Sequence, residues 1–415
     1  MLELTAAWAE ALTRMIDDSH LVPPDQLSTA VDRSVRPLGL DAQVLMVDLA
    51  QRYLHPVPTG AAVAVENTMA GRAYQLTEIV PSRSTAVGDL SADAGTPRRL
   101  LWIPLLDGTE RIGVLRVGLA ADVVDDDSLR KWLWSMAGVV GHVLMAKLDH
   151  SVLLQRLRAG QLSMASELMW QLLGPRTFAT DRVVISALLE PCASVAGDGY
   201  DYALDTLVDV AVFDGLGHDL AAGVSSALAM SAIRNARRHG VESLAGHAER
   251  ADSVLGGQSG APQFVTAVLG RLDSVTGELS YVLAGHPPPL LVRDGRVVKM
   301  LDHPPRTPLG VAPVAHVTHA DLVGHEQLEP GDRLLLYSDG ITEARDEHGG
   351  YFGEQRLIEF AERAEQDGLS APETLRRLVA AVLAHQHHRL QDDATVLLLE
   401  WAGSGHLQLL PGCRQ

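Results

Sequence analysis

The chain has 415 residues, of which 47% are hydrophobic and 21% charged, and its formal net charge is −18. This composition is typical of globular proteins with two or three domains, and the acidic balance argues against binding to nucleic acid or anionic lipid. Its two cysteines, Cys192 and Cys413, lack CxxC spacing, so we expect neither a disulfide framework nor a thiolate zinc site. The chain start lacks the basic residues of a signal peptide, and no apolar window is long enough to span a membrane. We therefore expect a cytoplasmic protein without membrane contact.

The first 148 residues predict a small domain of helices, strands and a closing helix. Two helical stretches separated by Pro23-Pro24 come first, followed by apolar runs typical of strands at 44–49, 61–65 and 100–105. Asp107-Gly108 separates two further apolar runs, which is a strong hairpin signal. The pattern of residues 127–148 predicts an amphipathic helix.

This arrangement, together with Gly71-Arg-Ala-Tyr74, resembles a GAF sensory domain over roughly residues 20–148. The resemblance implies either a domain that senses a small ligand or a partner, or a ligand-free structural or dimerising domain. The sequence favours neither and assigns no ligand, so we expect residues 1–148 to form a GAF-like regulatory domain.

Residues 149–175 predict an amphipathic linker helix. Apolar residues recur four apart, as at Met164, Leu168 and Leu172, and the pattern ends before Gly174-Pro175. Such a stripe has to be buried, either against a second copy in a homodimer or against the domain that follows. Both alternatives remain open.

From about Val183 the pattern alternates between strands and helices. Strands are predicted at 183–189, 200–204, 207–213, 264–273, 278–284, 290–293, 297–300, 333–337 and 394–400, and helices at 219–238, 353–366 and 371–388, with another helix reaching about Leu255. Asp219 is suited to open its helix as a cap, and basic residues close it before Gly240.

Four of these strands have an aspartate at one end. They are Asp198, Asp214, Asp339 and Asp392, three of them beside a glycine. Taken singly, an Asp-Gly pair is more often a turn than a ligand. Carboxylates that crowd together repel one another, which favours protonation or a shared cation, and hard cations such as magnesium or manganese suit oxygen ligands. The set therefore predicts a metal site.

The motifs around these aspartates resemble the metal-dependent serine/threonine phosphatases of the protein phosphatase 2C family, in particular the bacterial SpoIIE and RsbU type. The resemblance covers residues 165–402. It is carried, in chain order, by Val195-Ala-Gly-Asp198-Gly-Tyr-Asp201, Phe213-Asp214-Gly-Leu-Gly-His218, Leu283-Ala-Gly-His286-Pro-Pro-Pro-Leu, Ser338-Asp339-Gly-Ile-Thr-Glu343 and Gln391-Asp392-Asp393-Ala-Thr.

The resemblance implies an α+β chain in which residues 176–403 form an α/β/β/α sandwich, with two packed antiparallel sheets flanked by helices, and residues 404–415 form a tail. It implies two divalent cations, manganese or magnesium, held by Asp198, Asp214, the Gly215 carbonyl, Asp339 and Asp392. Asp214 would bridge the two ions, and Asp198 and Asp214 would be the catalytic residues. Residues expected to orient these ligands or bound waters are Asp201, Glu343 and Asp393, with His218 in a structural role rather than as general acid.

The sequence departs from the family pattern at two points. Val195-Ala-Gly replaces the usual paired glycines, which bears on the conformation of the loop, and Asp219 replaces a common glycine, where we expect helix capping. His286 is expected to fix a loop, and the histidines at 385, 387 and 388 to end a helix rather than bind zinc. We find no counterpart of the arginine with which the eukaryotic enzymes grip phosphate.

The resemblance implies a protein-serine/threonine phosphatase that uses a metal-activated water. Its partner would be a phosphorylated regulatory protein such as an anti-sigma-factor antagonist. Two alternatives are a phosphatase fold that binds a partner without turnover, and a hydrolase of small phosphate esters or nucleotides. The intact aspartates disfavour the first alternative, and the lack of a P-loop pattern only slightly disfavours nucleotides.

Overall fold

The computed structural model describes residues 2–83, 99–148, 169–192, 197–217, 219–258, 264–311 and 322–410. The chain divides into two compact units, Met1–Gly160 with Leu407–Gln415, and Gln161–His406. Both units mix helices with antiparallel sheets, so the α+β class is confirmed. None of the described helices is long and apolar enough to cross a lipid bilayer.

The first unit is built on one six-stranded antiparallel sheet. Its helices are α1 (Leu2–Ser19), α2 (Leu27–Val35), α3 (Met69–Leu76) and α4 (Asp127–Leu148), and its strands are β1 (Leu40–Val47), β2 (Tyr53–Pro56), β3 (Val63–Ala64), β4 (Val80–Arg83), β5 (Arg99–Asp107) and β6 (Glu110–Leu119). The strand order is β3-β2-β1-β6-β5-β4. The predicted hairpin is β5 and β6, with Gly108 at φ +58° in its turn.

Two apolar clusters hold this unit together, one on each face of the sheet. The larger cluster packs α1, α2 and α4 against the sheet and includes Trp8, Val31 and Met136. The smaller cluster joins α3 to the opposite face through Tyr74. Because both faces are covered, nearly every residue of β6 is buried, including Arg111 and Arg116.

The second unit contains eleven described strands and six described helices with assigned bounds. The strands are β7 (Thr177–Ala179), β8 (Val183–Glu190), β9 (Gly199–Ala203), β10 (Leu207–Gly215), β11 (Val265–Asp273), β12 (Glu278–Ala284), β13 (Leu290–Arg293), β14 (Arg296–Met300), β15 (Gly324–Gln327), β16 (Arg333–Tyr337) and β17 (Ala394–Trp401). The helices are α5 (Leu220–Arg238), α6 (Leu244–Gly256), α7 (Asp339–Thr342), α8 (Gly353–Gln366), α9 (Ala371–His385) and α10 (Gly405–Gln408), the last two residues of which are counted with the first unit.

These strands form two antiparallel sheets, with orders β15-β12-β11-β10-β9 and β14-β13-β16-β17-β8-β7. Their facing sides share one core, in which Val210 and Leu283 of the first sheet meet Ile185 and Leu397 of the second. Helices α5 and α6 cover the outer face of the first sheet through residues such as Met230. Since α9 packs on β8 and β17 of the second sheet, the layers run helix, sheet, sheet, helix, as predicted.

Local signals account for the helix ends nearest the site. Asp219 caps α5 by accepting a hydrogen bond from the Ala222 N–H at 2.9 Å, which confirms the expected capping role. The predicted helix at 371–388 ends earlier, at His385, because His387 and His388 have left-handed φ values of +50° and +62°. Those values end the helical hydrogen-bond ladder.

Most of the predicted linker helix, residues 149–168, lies outside the described residues. Its described end belongs to the second unit. There Met169 is buried, and Leu172 and Leu173 pack beside it, in the cluster that joins α5 to the first sheet. This end of the predicted linker helix is therefore buried against the domain that follows it.

Candidate metal centre

Asp198 lies in the loop that enters β9, and its carboxylate is buried with 2% of the residue exposed. Burial raises its pKa well above the usual range, and the charges of Asp214 and Asp393 add to this effect, while the hydroxyls of Ser338 and Thr395 oppose it. Within the described residues, its Oδ2 has no hydrogen-bond partner. A buried carboxylate oxygen without a donor is costly in a metal-free protein.

Asp214 lies near the end of β10, where the strand reaches Gly215. Burial raises its pKa to about 8, and the charges of Asp339, Asp392 and Asp393 contribute. Only a glycine fits at position 215, because a Cβ there would lie 2.8 Å from the Ala222 carbonyl oxygen. The strand end is thereby held close to the helix that follows.

Asp339 is the first residue of the short helix α7, directly after β16. Burial raises its pKa, as do the charges of Asp392 and Glu343, while the Gly340 N–H and the Asp214 carboxyl group oppose the shift. Glu343 is exposed at the end of α7, and its N–H donates to the Asp339 carbonyl at 2.7 Å. Glu343 therefore acts on the cluster through its charge and through this backbone contact.

The paired aspartates before β17 differ in their surroundings. Asp392 is exposed, whereas Asp393 is buried and accepts hydrogen bonds from the N–H groups of Cys192 at 2.8 Å and Gly197 at 2.6 Å. Burial raises the pKa of Asp393, and these two donors oppose the shift. Since both oxygens are engaged by the backbone, Asp393 is suited to orient the loop that carries Asp198.

Short backbone contacts tie the loops of the site together. The Gly197 carbonyl accepts hydrogen bonds from the Gly215 N–H at 3.1 Å and from the Ser226 hydroxyl. A Cβ on Gly340 would lie 1.9 Å from the Asp393 carbonyl oxygen, so the loop after β16 lies directly against the loop before β17. The four predicted aspartates are thus brought into one cluster.

Other predicted residues have different surroundings. Asp201 is buried, and its oxygens accept from Arg234 at 2.7 Å and Arg237 at 2.5 Å, so its described contacts join β9 to α5. His218 and the departure at Val195 lie outside the described residues.

The sequence missed several residues that complete the site. The sulfur of Cys192 lies within 4.8 Å of carboxylate oxygens of Asp392 and Asp393. Because the sequence lacks CxxC spacing, it offered no indication that this cysteine would lie near the aspartates. Burial and the charge of Asp393 raise the pKa of its thiol to about 12. The hydroxyl residues near the carboxylates are Thr266, Ser338 and Thr395. Ser338 and Thr395 belong to the motifs around Asp339 and Asp392, where sequence reasoning assigned them no role of their own, whereas Thr266 lies in an ordinary strand and carries no local signal.

The arrangement can be tested for its fit to divalent cations. The buried Asp198 Oδ2 lacks a donor, and the pKa values of Asp198, Asp214 and Asp339 are raised by burial and by their neighbours' charges. Such a cluster is unfavourable with all carboxylates ionised, and a cation relieves both the repulsion and the missing contact. The donors are oxygens, which suit magnesium and manganese.

Two packed antiparallel sheets with helices outside, and aspartates clustered at the strand ends, agree with the fold that the resemblance to metal-dependent phosphatases of the protein phosphatase 2C type predicted. Residues 205–402 match the family described as Stage II sporulation protein E (SpoIIE).

Among curated proteins, the chain is similar to the phosphoserine phosphatase RsbU of Bacillus subtilis, with 27% identity over 61% of this chain and 75% of that protein. Among solved structures, it is similar to the RsbU and RsbW domains of Rv1364c from Mycobacterium tuberculosis, with 27% identity over 53% of this chain and 60% of that chain and a TM-score of 0.44. A third similarity is to the catalytic domain of the phosphatase PstP in complex with two manganese ions, with 17% identity over 53% of this chain and 98% of that chain and a TM-score of 0.39.

Proposed function

We propose that residues 176–403 hydrolyse phosphoserine or phosphothreonine on a regulatory protein in a reaction that depends on divalent cations. The observation that carries the proposal is the buried Asp198 carboxylate, whose Oδ2 has no partner among the described residues and which lies in a cluster of aspartates. A fold without turnover would have no need to retain so unfavourable a group of charges.

In this proposal, the residues that would hold two manganese or magnesium ions are Asp198, Asp214, Asp339, Asp392 and the Gly215 carbonyl, and Asp214 would be the ligand shared by both. When bound, such ions supply a water nucleophile at neutral pH and neutralise phosphoryl oxygens. The chain's own contribution is positioning. Asp393 holds the Asp198 loop through two backbone donors, and the contact of Gly340 with Asp393 fixes the loop of Asp339.

The proposed substrate is a phosphorylated regulatory protein, such as an anti-sigma-factor antagonist. Support comes from the similarity to RsbU, which is named a phosphoserine phosphatase, and to a solved protein that joins RsbU and RsbW domains. We further propose that residues 1–148 are a GAF-like regulatory domain and that residues 149–175 are the linker through which it acts, either within one chain or in a homodimer. A truncated chain beginning at Val183 that keeps both activity and regulation would contradict the role of the linker.

The test is manganese-dependent phosphate release from an aryl phosphate and from phosphoserine proteins, measured on the full chain. We expect Asp214→Asn to lower the rate by at least about 100-fold, because it removes a charged ligand. The matched control is Asp367→Asn, an exposed aspartate at the end of α8, which should keep the full rate.

Each rival function predicts a different result. A binding module would release no phosphate from any substrate while still binding a partner. A hydrolase of small esters would release phosphate from nucleotides or sugar phosphates but not from phosphoproteins in competition. Activity that survives Asp214→Asn would contradict the metal-centred mechanism itself.

A further inference from the structure

His286 is a buried histidine to which the proposed function gives no role. It follows β12 directly, after Gly285, whose φ of +66° turns the chain, and only 5% of the residue is exposed. The sequence suggested that it fixes a loop. The position of its ring indicates a more specific task.

The ring of His286 reaches the candidate metal centre through one hydroxyl group. Thr266 on β11 lies directly opposite Asp214 on β10 in the antiparallel register. The Thr266 Oγ1 lies 3.0 Å from Nδ1 of His286 and 3.4 Å from Oδ2 of Asp214. Because residues paired in this way present their side chains on the same face of the sheet, the register itself places the hydroxyl beside the carboxylate.

The histidine is a neutral group in this position. Burial lowers its pKa to about 3, against a smaller opposing effect of the nearby Tyr337 carbonyl. Its Nε2 makes no well-formed hydrogen bond to any residue that the structure describes. A neutral imidazole has one N–H donor and one lone pair, so the hydrogen bond at Nδ1 decides which nitrogen carries the proton.

Counting protons along the chain of contacts fixes its direction. A threonine hydroxyl has a single hydrogen to donate. In the metal-bound state Asp214 would be ionised and would offer acceptors only, so the Thr266 hydrogen would point to Oδ2 and Nδ1 of His286 would donate to Oγ1. The reverse order would turn a lone pair of Oγ1 toward a carboxylate oxygen, which is repulsive.

We infer that Thr266 and His286 are positioning residues for Asp214, linked as Nδ1–H to Oγ1 and Oγ1–H to Oδ2, and that they orient this carboxylate for binding of a divalent cation. The inference rests on the proposed function. It assigns a role to the Gly285-His286-Pro287 motif through contacts with Thr266, a residue twenty positions away in the sequence.

The test measures manganese binding to the full-length chain by titration calorimetry, with kcat and KM for an aryl phosphate as a second readout. Thr266→Val keeps the shape of the residue and removes the hydroxyl, whereas Thr266→Ser restores the hydroxyl. His286→Asn retains an N–H donor near the position of Nδ1, and His286→Gln places its amide near Nε2 instead. Thermal unfolding without manganese verifies that each variant is folded.

We expect Thr266→Val and His286→Gln each to weaken manganese binding by about 10-fold or more, the range typical of residues that orient metal ligands. Thr266→Ser and His286→Asn should stay within about 3-fold of the wild type. The double variant Thr266→Val/His286→Gln should bind manganese no more weakly than Thr266→Val alone, because His286 acts on Asp214 only through the Thr266 hydroxyl, which the first substitution already removes.

Unchanged manganese binding in Thr266→Val would overturn the inference, and so would additive losses in the double variant or equal losses in His286→Asn and His286→Gln. If neither histidine variant folds, the threonine pair decides. If the wild type binds manganese and releases phosphate, and Thr266→Val binds manganese equally well, this inference is refuted and the proposed function is not. A wild type that does not bind manganese overturns the proposed function and the inference with it.

Discussion

Replacing Asp214 by asparagine is expected to stabilise the metal-free protein while it removes metal-dependent activity. Asp214 lies where burial and the charges of Asp339, Asp392 and Asp393 oppose its ionisation. Asparagine has nearly the same shape and no charge, so the variant removes the repulsion and leaves the packing of β10 in place. Stability and metal binding should therefore change in opposite directions.

The size of the effect follows from the pKa of Asp214, which is about 8 in the folded protein and about 3.8 when unperturbed. At a pH between these two pKa values, the Asp214 carboxyl group keeps its proton in the folded chain and loses it in the unfolded chain. The free energy of unfolding therefore falls as the pH rises through this range. One group contributes about 1.4 kcal/mol per pH unit. The stability advantage of Asp214→Asn over the wild type should thus grow by about 3 kcal/mol from about pH 5 to about pH 7.

The assay is urea unfolding in the presence of a chelator, followed by hydrogen exchange of peptides from β10, so that the signal reports on the second unit. Asp367→Asn again serves as the control and should show no such pH-dependent advantage. With manganese at about 100 times its dissociation constant, the advantage of the variant at pH 7 should shrink by about 2.7 kcal/mol, because the ligand stabilises only the wild type. An advantage that does not vary with pH would refute the assignment of Asp214 as a carboxylate held against ionisation.

Two further predictions test the contacts that surround the site. Gly340→Ala should lower phosphatase activity by about 100-fold and the free energy of unfolding by about 1–3 kcal/mol, because the new Cβ would lie 1.9 Å from the Asp393 carbonyl oxygen. The control Gly256→Ala, which has open space around the new Cβ, should have little effect. Equal activities of the two variants would contradict the close contact at Gly340. Asp201→Asn should lower the free energy of unfolding by about 3 kcal/mol, because it leaves two arginines beside a neutral group. The control Asp205→Asn changes an exposed residue and should leave the midpoint of urea unfolding unchanged. A similar urea midpoint for both variants would show that the arginines do not depend on Asp201.

Local sequence signals predicted most of the fold that carries the site. The helix at 353–366 and the cap at Asp219 depend on residues only a few positions apart, and both were confirmed. The same is true of the β5–β6 hairpin in the first unit. The edge strands β7 and β15 were missed. They are three and four residues long, and such short strands give too few alternations for a periodic pattern.

The sequence by itself determined which carboxylates stand at strand ends, because an apolar run that stops at Asp-Gly is visible in a few consecutive residues. Only the tertiary structure decided their partners. Asp201 meets Arg234 across 33 positions, Cys192 donates to Asp393 across 201, and Thr266 faces Asp214 through the register of two strands. Those contacts depend on how distant strands and helices align, and no local pattern of side chains encodes that alignment.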